Sequence, residues 1–263
     1  MKKYLVIAYL SLLQMFTYRL SFILWRFRNI FNLVFIYYLW TSIFTNKNSL
    51  FSYSQEKLMT YILVMTLVSS LVLSTRTAEI GADIISGNLI NYLLKPISFF
   101  KLVLSKEFTD KLLNFTFSVI EIFLLVIILK PHFFIQANSQ VYFFAFLSFL
   151  IGSFIAFLIS LNISLIAFWS SEIWAPRWIY SILIWFLAGS FFPLDILPDL
   201  LYKILLLTPF PYLFFIPTKI YLDGFSLNIF PPIVISLVWC YILFIVTKKV
   251  WKNGIKNYNA YGR

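Results

Sequence analysis

Long apolar runs alternate with short polar, basic stretches along the whole chain, and six of the runs approach the length of a membrane crossing. They lie at about 30–44 (with a start as early as 21), 58–74, 112–129, 141–169, 178–192 and 229–247. A helix needs roughly 20 mostly apolar residues to cross a hydrocarbon core about 30 Å thick, at about 1.5 Å per residue. Backbone groups in lipid must be satisfied within the protein, and no alternating pattern of about ten residues recurs as a barrel requires, so the spans are expected to be helices. The expected fold is an all-α integral membrane protein with about six transmembrane helices. Trp40, Tyr37 and Tyr38 fall where the first span would meet its outer interface. Pro231 and Pro232 open the last one, at positions where a missing N–H costs nothing.

The loops set the orientation. With both ends placed inside, 16 of the 21 Lys and Arg residues fall in inner segments, and only Lys47, Lys57, Lys130, Lys203 and Lys219 fall outside. Positive charge is retained preferentially on the cytoplasmic side, so the expected topology has cytoplasmic N and C termini in a cell membrane. The start, Met1-Lys2-Lys3 followed by an apolar run, lacks a small-x-small cleavage site. Gln14, Tyr18, Arg19, Arg26 and Arg28 continue it as a basic amphipathic helix over residues 1–28, expected to be retained at the inner interface.

Composition agrees with this picture: 61% of residues are hydrophobic, 21% aromatic and only 12% charged. A soluble fold could not keep that aromatic load off its surface. The net charge of +11 is scattered between apolar spans rather than gathered in a patch, which argues against nucleic acid as a partner. A single cysteine, Cys240, rules out an intramolecular disulfide and a thiolate-rich metal site. His132, also alone, reads as a solvated loop residue after Pro131.

Chemistry is sparse. None of the seven glycines precedes Lys, so no phosphate loop exists and ATP cannot be cradled here. Nucleophile elbows, zinc helices and acid–base pairs with a histidine are also missing, and no enzyme or metal site is expected. Glu121 stands out because it sits in mid-span among Ile120, Ile122, Phe123 and Leu124. An ionisable group there faces either a partner, Asn162 and Ser118 being candidates, or a wet transport path. Glu172 is expected near the inner face in an ion pair with Arg177.

The stretch 75–111 is longer than a connection needs. Within it, Ile80, Ile84 and Ile85 recur at helical spacing with Glu79 and Asp83 opposite, giving a short amphipathic helix ended by Gly87. Such a helix either docks a partner or lies on the membrane. Farther along, Pro193, Pro198, Pro209, Pro211 and Pro217 punctuate the region from Gly189 to Gly224, so re-entrant or interfacial helices are expected in the last outer loop, over about 189–227.

At the inner loop the chain resembles the ABC-2 type permeases, in the branch that includes daunorubicin- and viologen-type export permeases. The residues that carry the resemblance are the acidic-Ile-x-x-Gly-x-Leu stretch from Asp83 to Leu89 and Leu93-Leu94-Lys95-Pro96-Ile97-Ser98. Others are Phe168-Trp169, the run from Leu187 to Leu194, Leu197-Pro198, Thr208-Pro209-Phe210, and the tail Trp251 to Tyr258 with Tyr261-Gly262. The resemblance spans nearly the whole chain, 1–263, as a single permease domain, and Asn88 and Asn91 stand where the family varies.

The resemblance implies the membrane-spanning permease subunit of an ATP-driven exporter of amphipathic, drug-like or lipid-like compounds. It implies a second permease, identical or related, and a cytoplasmic ABC ATPase that holds the ATP and Mg; this chain would bind no cofactor. Docking would run through the N-terminal helix and the first inner loop, with Glu79, Asp83, Ile84, Gly87, Leu94, Lys95 and Pro96 as coupling residues. Gly189, Pro193, Pro198 and Pro209 would form an outer gate or simply plug the bundle, and Glu121 would lie on the transport path if it is not structural. The rivals are an ATPase-independent secondary transporter or channel, which would carry more buried charge and matching breaks in both halves, and a membrane enzyme acting on lipid.

Overall fold

The structure, a computed structural model, describes residues 6–10, 13, 19–44, 49–50, 53–96 and 98–258. Much of the expected N-terminal amphipathic helix, together with Ile97 and the end of the tail, therefore lies outside the described residues. The described chain is nearly all helix, with one two-residue antiparallel pairing of β1 (Ser49–Leu50) with β2 (Tyr53–Ser54).

Among the described residues, nine helices of eight residues or more run in order: α1 (Arg19–Phe44), α2 (Gln55–Val72), α3 (Thr77–Ile85), α4 (Phe99–Leu129), α5 (Ser139–Leu165), α6 (Trp174–Leu187), α7 (Asp199–Leu206), α8 (Phe215–Asp223) and α9 (Phe230–Lys256). A single turn at Ile90–Leu93 and four short 3-10 turns join them. The boundaries have local causes. Ser54 caps α2 by accepting from the Lys57 N–H, and Asn138 caps α5 by accepting from that of Gln140. Lys130 closes α4 in the left-handed region, its N–H donating to the Val126 carbonyl.

Among the described residues, four helical stretches are long and apolar enough to cross a membrane: Gln55–Ile85, Phe99–Leu129, Ser139–Phe168 and Leu227–Lys256. They correspond to the second, third, fourth and sixth expected spans. The third begins well before residue 112, because polar residues up to Lys111 are paired inside the fold rather than left in a loop. α1 is long enough, at 26 residues, but carries Arg26, Arg28, Asn29 and Asn32. It also runs unbroken past residue 28, where the expected interfacial helix was to end. α6 has 14 residues and so covers only about 21 Å of a core about 30 Å thick. The fifth expected span thus ends early, at Leu187, where Ala188 and Gly189 turn the chain; Gly189 takes a φ of +85° that side chains disfavour.

α5 is the central post, packed against α2, α3, α8 and α9. One core gathers α2, α5 and α8 around Tyr61, Met65, Ile155, Phe214 and Phe215. A second gathers α3, the α5 C-terminus and the start of α4 around Ile80, Ile84, Leu161, Leu165 and Phe168. The bundle therefore has an α3 end and, opposite it, an α7–α8 end. Gly152 on α5 allows the segment before α8 to lie against the helix backbone, since a Cβ there would stand 2.3 Å from the Tyr212 carbonyl oxygen.

Candidate functional site

At the α3 end the amphipathic pattern of the sequence resolves into a packed element. Ile80 and Ile84 are buried against Leu158, Leu161, Leu165, Phe168 and Ile173. The apolar face of α3 is thus consumed by the protein's own bundle. The opposite face, with Glu79, Ala82, Asp83 and Ser86, stays partly or fully exposed. Gly87 ends the helix with φ +77°, and its carbonyl accepts from the Tyr258 hydroxyl, whose oxygen also accepts the Ile90 N–H at 3.1 Å. The tail beyond α9 is thereby tied to the turn after α3.

Charges fix this end to the start of α4. Glu79 lies 3.3 Å from Lys106 and 3.8 Å from Arg76, and Arg76 reaches Asp110 at 3.5 Å. Lys111 pairs with Glu107 at 3.1 Å and donates to the final carbonyls of α2, Leu71 at 2.8 Å and Val72 at 3.3 Å, and to that of Ser74 just beyond it at 3.1 Å. Cations suit that position because the last carbonyls of a helix are unsatisfied and carry the negative end of its dipole. Leu94, Lys95 and Pro96 are exposed beyond the turn at Ile90–Leu93, and the Lys95 ammonium lies 5.8 Å from the Tyr92 ring. The structure therefore gathers Glu79, Asp83, Ile84 and Gly87 on one short element, with Leu94, Lys95 and Pro96 on the loop that follows it. Lys106 and Asp110, which complete the arrangement, were not singled out by sequence, and Tyr258 stood out only as part of the tail that carries the resemblance.

Glu121 has a partner that spacing did not suggest. Arg26 of α1 meets both carboxylate oxygens at 2.6 Å, donates to Asn114 Oδ1 at 2.9 Å and to Ser118 Oγ at 3.1 Å, and lies 5.7 Å from the Phe117 ring. Ser118 in turn donates to Ser70 Oγ of α2 at 2.5 Å. Of the two expected neighbours, Ser118 joins the network through the arginine. Asn162 instead donates to Thr247 Oγ1 at 2.8 Å, linking α5 to α9. Arg26 is 6% exposed and so leaves the interfacial set in which its charge had placed it. A bidentate guanidinium pair of this kind satisfies two groups that would be costly alone in an apolar span.

The expected ion pair of Glu172 with Arg177 does not form. Glu172 Oε1 accepts the N–H groups of Trp174 at 2.7 Å and Ala175 at 3.2 Å, capping α6, because a carboxylate two residues upstream of a helix start reaches the free donors there. Arg177 turns inward and donates to Ser164 Oγ and to Thr77 Oγ1.

At the α7–α8 end, the carbonyl of Gly189 accepts from the buried Tyr61 hydroxyl at 2.6 Å. Pro193 is buried and leads into the 3-10 turn Leu194–Ile196; Pro198 precedes α7 on the surface, and Pro209 precedes the 3-10 turn Phe210–Tyr212. Each proline stands at an element start, where its fixed φ fits and no N–H is lost. Asp195 anchors the segment: it accepts from Tyr53 at 2.8 Å and from Lys219, which also lies 3.3 Å from Asp223. Burial opposes the charge on Lys219, but the hydrogen bond and charge of Asp195, with Asp223, outweigh it and hold the ammonium above its ordinary value. Short helices between α6 and α9, tied by such contacts, match the expectation of interrupted structure in the last loop.

Among the described residues no cluster of three or more His, Cys, Asp or Glu is placed to hold a metal ion. What the arrangement offers is mechanical: an exposed acidic helix face locked to two long helices, and a proline-punctuated cap at the far end of the same bundle. No curated protein matches the chain. A family model described as ABC-2 family transporter protein matches residues 30–262, from within α1 to the tail that holds Tyr258. The chain is thus a membrane-embedded helical subunit that belongs to the ABC-2 transporter family.

Proposed function

We propose that this chain is the membrane-spanning permease subunit of an ATP-driven exporter, in which the α3 end faces the cytoplasm and receives a separate ABC ATPase. The observation that carries this reading is the division of α3 into a buried apolar face and a partly exposed acidic one, Glu79 and Asp83. Motion applied to that face has a rigid route inward, through Glu79–Lys106 and Arg76–Asp110 to α4 and through Ile80 and Ile84 to α5. A permease needs such an element to bias two packings of its bundle.

On this reading α1 and α6 complete six crossings with both termini inside, α6 being finished by the turn through Gly189. A second permease, identical or related, supplies the other half of the path, and Mg-ATP is held by the ATPase. The segment from Gly189 to Pro209 caps the outer end as a gate, and the cargo is an amphipathic compound moved out of the cell. The Arg26–Glu121 pair is a tie between α1 and α4, since its carboxylate is already matched by a guanidinium. A carboxylate matched in this way is not the free buried carboxyl that a proton-coupled carrier would use.

The test is co-purification of the full chain from its host in mild detergent. An ATPase subunit should be recovered in stoichiometric amount, and Glu79→Lys with Asp83→Lys should release it while membrane insertion and expression stay unchanged. Retention of the ATPase by the doubly substituted chain would sink the docking assignment.

A further inference from the structure

The first two turns of α6 present an unusual surface. Trp174 and Trp178, four residues apart on one face, are 69% and 65% exposed, and Arg177 and Ser181 lie between and beyond them. With Ala175 they line an open groove of about 440 Å³. Bare indoles at a membrane–water boundary are ordinary; a partly buried guanidinium beside them that meets no carboxylate is not. Among the described arginines that are not fully exposed, Arg26 and Arg76 face carboxylates, whereas Arg177 has only the hydroxyls of Ser164 and Thr77, and its Nε is buried with no acceptor among the described residues. The nearest acid in sequence, Glu172, is committed to the N-terminal N–H groups of α6. A positive charge is therefore held in place by neutral contacts, beside apolar walls, with donor capacity left over.

We infer that this groove binds the anionic headgroup of an amphiphile, with Arg177 taking a phosphate- or carboxylate-type group and Trp174 and Trp178 covering the first part of the apolar chain. Guanidinium matches such oxyanions in a two-point geometry, and indoles pack well where one end of a ligand is wet and the other apolar. The site has a second consequence. Thr77 is the first residue of α3, so the side chain that receives the headgroup also touches the start of the element assigned to ATPase docking. An occupant that draws Arg177 toward the groove loosens its contact with Thr77, which connects occupancy to the coupling helix. This deepens the exporter reading by naming an anionic amphiphile as the class of cargo, and it rests on that reading only for what happens after binding.

The experiment uses the full chain alone, in nanodiscs of zwitterionic lipid, so that its outcome does not depend on any ATPase. Radiolabelled dodecyl phosphate is titrated against chain-bearing and empty discs, in parallel with dodecyltrimethylammonium and dodecyl maltoside. Saturable binding of the phosphate alone is expected. Arg177→Gln should weaken it about tenfold or more, as befits loss of a charge-assisted pair, and Arg177→Lys should weaken it less. Because Arg177 also holds Ser164 and Thr77, Trp174→Ala with Trp178→Ala provides a variant that leaves those bonds intact. It should weaken binding while elution and melting temperature stay those of the unsubstituted chain. Equal binding of the cationic or neutral amphiphile, or unchanged affinity in either variant, would overturn the assignment. The source of the anion is read in the same format: competition by phosphatidylglycerol added to the discs identifies a membrane lipid as occupant, and its failure to compete identifies a single-chain anionic solute.

Discussion

Glu121→Gln isolates the energetic role of the charge pair inside the bundle. The substitution is nearly isosteric, yet it leaves the Arg26 guanidinium, 6% exposed, facing a neutral amide in place of two carboxylate oxygens at 2.6 Å. Arginine cannot shed its proton, so the charge stays. Breaking a buried pair by removing one partner costs about 3–5 kcal/mol. The lower end of that range applies here, because the Gln carbonyl, Asn114 and Ser118 still accept from the guanidinium. At about 1.4 kcal/mol per tenfold, the folding equilibrium constant should fall by a factor on the order of one hundred or more. Replacing both members, Arg26→Met with Glu121→Leu, removes the stranded charge and should recover most of that loss, since well-packed apolar pairs commonly match buried ion pairs. Denaturant titration in detergent micelles, followed by tryptophan fluorescence, reads all three chains. A Glu121→Gln chain as stable as the unsubstituted one would refute the reasoning, as would a double variant less stable than the single. ATP-driven transport retained by the stable double variant is expected if the pair is a tie; its loss would move Glu121 to the transport path.

The remaining predictions concern the two ends of the bundle. Gly152→Ala places a Cβ 2.3 Å from the Tyr212 carbonyl oxygen and should destabilise the fold by about 1–3 kcal/mol, seen as a lower melting temperature. Tyr258→Phe removes the hydroxyl that joins Gly87 to Ile90 and should cost about 1 kcal/mol, with faster amide exchange in the turn after α3 as the local readout. Lys219→Met strips Asp195 and Asp223 of their cation and should open the segment around α7 to proteolysis without changing membrane insertion. The same contact has a pH signature. With the folded Lys219 value raised, its stabilising share is fully present below the ordinary lysine value of 10.5 and is lost only as pH rises through the raised value, so protection of that segment should hold through neutral and mildly alkaline pH.

How far the chain could be read from its sequence depended on the range of the interactions involved. Elements set by local pattern were legible: four of the long apolar helices, the end of α3 at Gly87, and the interrupted chain between α6 and α9. These follow from hydropathy, from one glycine and from prolines, all of which act within a few residues. The boundary of α4 was not legible, because Glu107, Asp110 and Lys111 look like loop residues until Arg76, Thr75 and the carbonyls of α2 are placed beside them. Arg26 misled for a related reason. A basic residue near an N-terminus usually marks an inner interface, and only contact with a carboxylate 95 positions away shows otherwise. An acid and a base each in an apolar stretch was the available hint, since such groups seldom stand alone in lipid. The α6 groove was invisible to motif reading, although Trp174, Arg177, Trp178 and Ser181 share one helical face by spacing alone. Their meaning came from what Arg177 does not touch.

The most direct test of the account is site-specific photo-crosslinking from α3 in cells. A photoreactive residue at Ala82 or Ser86, both exposed on the acidic face, is compared with one at Leu200 on α7, exposed at the opposite end. The account predicts an adduct with an ATP-binding subunit from positions 82 and 86 and none from position 200. An ATP-binding subunit captured from neither α3 position, or equally well from position 200, would contradict it.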